Sequence, residues 1–135
     1  MKPPTHALAD PFDLPDWLGT TEVTWHAESA ETGGHHVRGE LRSADGTQPC
    51  DLVAVDQAYP APVADDEVRR LAHQAWRNGE VLLVTRDERL ALAVPGTGFA
   101  ADRILTALTR LARAVGAPPE NFVAALRLGI VRDDG

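Results

Sequence analysis

Lysine is almost missing from this sequence: Lys2 is the only one among thirteen basic residues, so twelve are arginine, the pattern of a GC-rich coding bias. Cysteine is as scarce, with Cys50 alone. A single thiol excludes an internal disulfide and a thiolate zinc site, and fits a reducing compartment. Long apolar runs are absent too; short ones such as Val81 to Val84 fall far below the roughly 18 residues a spanning helix needs, so no membrane crossing is expected. The start, Met1 to His6, has one base, no apolar stretch behind it, and Asp10, Asp13 and Asp16 following, which suits neither a signal nor a transit peptide. The expected location is cytoplasmic. Aromatic residues make up only 5%, and no Lys/Arg cluster interleaves with them, so a nucleic-acid footprint is not expected.

What is present suits one folded domain. The chain has 135 residues, 44% of them apolar and 24% charged, enough for one sizeable core. Its net charge of −7 is unevenly placed: residues 1–64 hold ten acids and three bases, whereas residues 65–135 hold ten of each. Residues 1–19, with Pro3, Pro4, Pro11 and Pro15, read as an extended tail, closing into one helical turn over Asp13–Gly19 with Asp13 as cap and Trp17 and Leu18 docking. A single α+β domain is expected over 20–129, and a frayed end over 130–135.

Within the domain, Thr21 to Glu28 alternates, with Val23, Trp25 and Ala27 on one face and Glu22, Thr24, His26 and Glu28 on the other. After a turn, Val37, Gly39 and Leu41 continue the inner face, making a hairpin. Asp51 to Ala58 is apolar on both faces, as a central strand is. Asp65 and Asp66 cap a helix burying Val68, Leu71, Ala72, Ala75 and Trp76, which Gly79 stops. Glu80–Arg86 and Arg89–Val94 form a second hairpin. A helix over about 100–115 turns Ile104, Ala107, Leu108, Leu111 and Val115 inward, and Pro118–Pro119 starts a short last helix carrying Phe122, Val123 and Leu126. The order βββ-α-ββ-α-α, with hairpin-length connections, predicts a two-layer α+β fold: a five-stranded antiparallel sheet with helices on one face.

That element order, from Leu14 to Leu126 in an acidic chain of this size, resembles the type III secretion chaperone-like fold of class I secretion chaperones and YbjN-type bacterial proteins. The resemblance implies a small domain, often a homodimer, that offers its surface to a partner protein and performs no chemistry.

Candidate chemistry is sparse. His26, His35 and His36 lie on or beside one hairpin and would form a metal site with Glu28 or Glu40 only if His26 faced His36. That register opposes Glu22 to Glu40, so a register pairing Glu28 with His36, Glu22 with Arg42 and His26 with Arg38 is preferred, giving a solvated charge ladder and no metal. The turn Gly96, Thr97, Gly98 and Phe99 leads into a helix N-terminus and is a candidate anion-binding turn, against the plainer reading that its glycines make the turn; no P-loop lysine follows. Cys50 reads as a buried structural thiol, with His26 or His73 the only bases a nucleophile reading could use. Asp56 at the end of the central strand either caps the following turn or marks a site. Arg69, Arg70, His73 and Arg77 share a side of the first long helix, a solvated face or a dock for an acidic surface. Trp25 sits where its N–H can reach water or a ligand.

The expected function is a non-enzymatic, chaperone-like protein-binding or adaptor domain, homodimeric or bound to a partner protein through Trp25, Arg69, Arg70, His73 and Arg77, with no cofactor. The alternative is a small-molecule or nucleotide-binding domain, or small enzyme, using Gly96–Phe99 with Asp56 and a histidine.

Overall fold

A computed structural model describes residues 7–30, 36–56, 64–86, 88–99 and 101–125. Its strands are β1 (Ala7–Leu8), β2 (Val23–Ala30), β3 (His36–Ser43), β4 (Gly46–Ala54), β5 (Leu82–Arg86), β6 (Arg89–Val94) and β7 (Phe122–Ala125). Its helices are α1 (Trp17–Thr20), α2 (Asp66–Arg77) and α3 (Ala101–Ala114), with short 3-10 turns at Pro11–Asp13 and Pro119–Asn121.

The strands form one mixed sheet in the order β1-β5-β6-β4-β3-β2-β7. This corrects the expected five-stranded antiparallel sheet: β4 and β6 run parallel, as do β2 and β7. Two strands were hidden in segments read otherwise. Ala7 and Leu8, in the supposed tail, pair with Thr85 and Val84; two residues are too few for a period to register. Phe122 to Ala125, expected as a helix, instead pairs with Val23 to His26. A short apolar run suits either state, and here the open edge of β2 decides, because its backbone groups need partners.

The helices also lie on both faces rather than one. Neighbouring strand residues point to opposite faces. Leu52, Leu90, Leu92 and Val94 pack with Ile104, Leu108 and Leu111 of α3. Val53, Val55, Val84, Ala91 and Ala93 pack with Val68 and Ala72 of α2. The Cys50–Ala54 half of β4 and Leu90–Val94 of β6 are therefore buried on both sides, as their largely apolar sequences require.

Local chemistry follows the sequence closely in the helices. The Asp65 carboxylate accepts the Val68 N–H at 2.9 Å, and Gly79 leaves α2 at φ 83°. Gly116, at φ 81°, follows α3. Near the start, Asp13 does not cap the helical turn: α1 begins only at Trp17 with no side-chain cap bond. Asp10 instead caps the Pro11–Asp13 turn by accepting the Phe12 N–H at 2.9 Å, and Leu18 is fully buried in the α3-side core. The described residues from Ala7 to Thr20 are thus built into the domain.

The first hairpin adopts neither register considered from charge. His26 faces Glu40 and Thr24 faces Arg42, and the register shifts between Ala27 and Ser29. The reason is beneath the sheet: Trp25 lies beside Gly39, where a side-chain Cβ would come within 2.6 Å of the indole. Core packing, worth more than exposed charge pairs, fixes the pairing. His35 and the side chain of Glu28 lie outside the described residues, as do Pro60, Pro62, Leu126 and 130–135.

Candidate functional site

The parallel pair β4 and β6 ends in a cluster of polar groups. Asp56, two residues beyond β4, donates its N–H to the Gly96 carbonyl at 3.0 Å, and its Oδ2 accepts the Gly96 N–H at 2.8 Å. Its Oδ1 is hydrogen-bonded to Nε2 of His73, which reaches it from the middle of α2. The structure therefore brings together Asp56, His73 and Gly96, three residues of the ligand-site alternative. Gly96 is held at φ 113°, with the Arg103 guanidinium packed where a Cβ would stand and donating to the Pro95 carbonyl. The anion that the Gly96 N–H meets is thus the protein's own Asp56. Thr97 is exposed and Gly98 half-buried; beside them lies an open groove of ≈500 Å³ lined by Trp76, Phe99, Asp102, Arg103 and Thr106.

A second acid, Asp51, lies five residues earlier on the same strand and is almost fully buried, at 6% exposure. Arg89 grips it with Nε at 3.1 and 3.2 Å and Nη2 at 2.8 Å, and the same guanidinium donates to the Gly39 carbonyl at 2.9 Å. The Gly39 N–H donates to Asp51 at 3.2 Å, and Nε2 of His36 lies 3.4 Å from Oδ2. Burial acts to raise the Asp51 pKa, but the bonds from His36, Arg89 and the Gly39 amide outweigh it and hold the carboxyl down at about 2. This cluster ties β3, β4 and β6 together and leaves little of itself to a ligand. Sequence reasoning took Asp51 as the entry to a strand; the strand begins at Gly46, so Asp51 is central. The available signal was an acid inside the apolar run Cys50–Val55, which demands a cation such as Arg89.

Trp25 does not serve as an exposed contact. It is fully buried, and its indole N–H donates to the Cys50 carbonyl at 2.9 Å. Cys50 is buried with it; burial first, then Asp51, push its thiol pKa far above the ordinary value, so it is unreactive. On α2, Arg69 and Arg70 are exposed and paired along the helix with Asp66 at 3.0 Å and Glu67 at 2.7 Å. Arg77 is exposed. His73 leaves this row, being turned to Asp56.

Among the described residues, the face that α2 packs on is only half covered. Its apolar cluster reaches Val53 and Val55 and contains no residue of β3, β2 or β7. By strand parity the same face continues through His36, Arg38, Glu40 and Arg42, then Thr24 and His26, and ends at Val123, which is 54% exposed. Arg86 and Arg89 lie on this face too, at the end of β5 and the start of β6. Arg38 and Arg42 are exposed, and Glu40 bonds Arg42 at 2.5 Å. Partial burial and the nearby Arg42 lower the His26 pKa, with Glu40 opposing. Among the described residues, no group of three or more metal-ligating side chains occurs, here or elsewhere.

No protein-family model matches the chain, and no curated protein or solved structure is significantly similar to it.

Proposed function

We propose that the domain is a protein-binding adaptor whose contact surface is the uncovered half of the α2 face. The observation that carries this reading is the charge of that surface. In a chain of net charge −7, it gathers Arg38, Arg42 and Arg86 against Glu40, with the Arg89–Asp51 pair sealed beneath. A sheet face left open by its helix and bearing a charge opposite to the rest of the protein suits an acidic partner segment, which it attracts while the remaining surface repels it. Arg69, Arg70 and Arg77 on α2 border the same side of the sheet and extend the cationic surface, although Arg69 and Arg70 are already matched by Asp66 and Glu67.

The test is an NMR titration with a short peptide alternating Glu and Thr, which presents carboxylates along one edge when extended. Saturable shifts at Thr24, His26, Arg38, Glu40 and Arg42 are expected. They should weaken with added salt and vanish in the Arg38→Glu/Arg42→Glu double variant. Binding that maps to another surface, or that survives the double charge reversal, rejects the reading. Self-association through this face in light scattering would replace the acidic partner by a second copy.

A further inference from the structure

The chain leaves the parallel strands β4 and β6 in opposite directions, from β4 towards α2 on one face and from β6 towards α3 on the other. Divergence of this kind opens a crevice beyond the carboxyl ends of the strands, the usual ligand position in such sheets. The Asp56–His73–Gly96 cluster stands at that divergence.

The bonding there fixes the tautomer of the neutral imidazole. An ionised carboxylate only accepts, so Nε2 of His73 carries the proton that Asp56 receives, and in the neutral ring Nδ1 is left with a lone pair. Asp56 cannot turn away, because its other oxygen holds the Gly96 amide and its own N–H is bonded to the Gly96 carbonyl. Among the described residues Nδ1 has no hydrogen-bond partner, and the His73 side chain is 43% exposed. One turn further along α2, Trp76 begins the ≈500 Å³ groove that continues over Thr97, Gly98 and Phe99. Arg110 stacks on the Trp76 ring at 3.7 Å and donates to the Trp76 carbonyl at 2.8 Å, which holds the indole in place.

We propose that this crevice is a binding site for a small ligand that combines an aromatic ring with a hydroxyl group. The hydroxyl donates to Nδ1 of His73, and the ring lies in the groove between Trp76 and Phe99. Asp56 is a positioning residue, setting which ring nitrogen accepts. This site is separate from the uncovered sheet surface and stands or falls independently of the adaptor reading.

The probe is p-cresol, with p-methylanisole, which has the same shape and no hydroxyl donor, as its control. NMR titration of the intact chain should show p-cresol shifting the signals of His73, Trp76, Gly98 and Phe99 in a saturable way. The anisole should bind about tenfold more weakly, as should p-cresol to His73→Gln, each having lost one hydrogen bond. Nitrogen shifts of the His73 ring should report the Nε2–H form in the wild type and a mixture of tautomers in Asp56→Asn. Equal affinity for the two probes, no saturation at millimolar p-cresol, or an Nδ1–H ring in the wild type would each overturn the proposal. Because the two probes and the ring tautomer are compared on unaltered protein, the outcome does not depend on a variant folding.

Discussion

Asp51 and Asp56 lie five residues apart on and just beyond one strand, and the sheet treats them in opposite ways. Asp51 is sealed: a guanidinium, a backbone amide and an imidazole surround it, and all three serve the protein. Asp56 is open: it spends one oxygen on a backbone amide and the other on a half-exposed histidine. The difference comes from what the neighbouring elements bring. At Asp51 the flanking strands supply Gly39 and Arg89, while at Asp56 the strands have ended and, among the described residues, a turn and a helix side chain arrive. Buried charge is tolerated only when fully paired, so the first acid is committed to stability, while the second holds a half-exposed histidine at the end of the strand.

The sharpest way to break this contrast is truncation. Asp51→Ala removes the carboxylate that the part-buried Arg89 guanidinium grips and should cost about 3–5 kcal/mol, whereas Asp56→Ala, at a site water can reach, should cost only about 1 kcal/mol. Urea unfolding of both variants measures the gap, and equal losses would erase the distinction. Acid provides a second, smaller effect. The Asp51 pKa is depressed in the folded state from 3.8 to about 2. Its contribution is therefore fully present above pH 3.8 and lost as pH falls towards 2, on the order of 2 kcal/mol. Wild type and Asp56→Asn should both lose that stability over this range, while Asp51→Asn should not. The smallest effect is expected on the exposed face of α2, where Arg69→Ala and Arg70→Ala should each change stability by no more than about 0.5 kcal/mol. A larger loss there would mean that these arginines hold more than the Asp66 and Glu67 carboxylates.

The alternation of β2 and β3, both long helices with their caps and stops, and the β5–β6 hairpin were legible because each is written in a few consecutive residues. Two-residue β1 and the strand identity of Phe122–Ala125 were not, since each exists only through a neighbour distant in sequence. The hairpin register escaped a charge argument because it answers to the fit of Trp25 against Gly39. For the site, Asp56, a histidine and the Gly96 turn could be singled out individually as unusual residues at element ends. Their convergence, and the choice of His73, required the position of α2 on the sheet. Trp25 misled for the converse reason: its N–H has a partner, but that partner is the carbonyl of Cys50, twenty-five positions away.

By itself, then, the sequence determined β2, β3, the two long helices and the β5–β6 hairpin, with the apolar side of each, because hydrophobic period, capping residues and turn residues act over a handful of positions. Tertiary structure decided which strands are parallel, that the helices take opposite faces, and which of two similar acids is sealed and which is open. Those outcomes depend on backbone pairing and on burial between segments up to a hundred residues apart, and no local pattern encodes a partner at that distance.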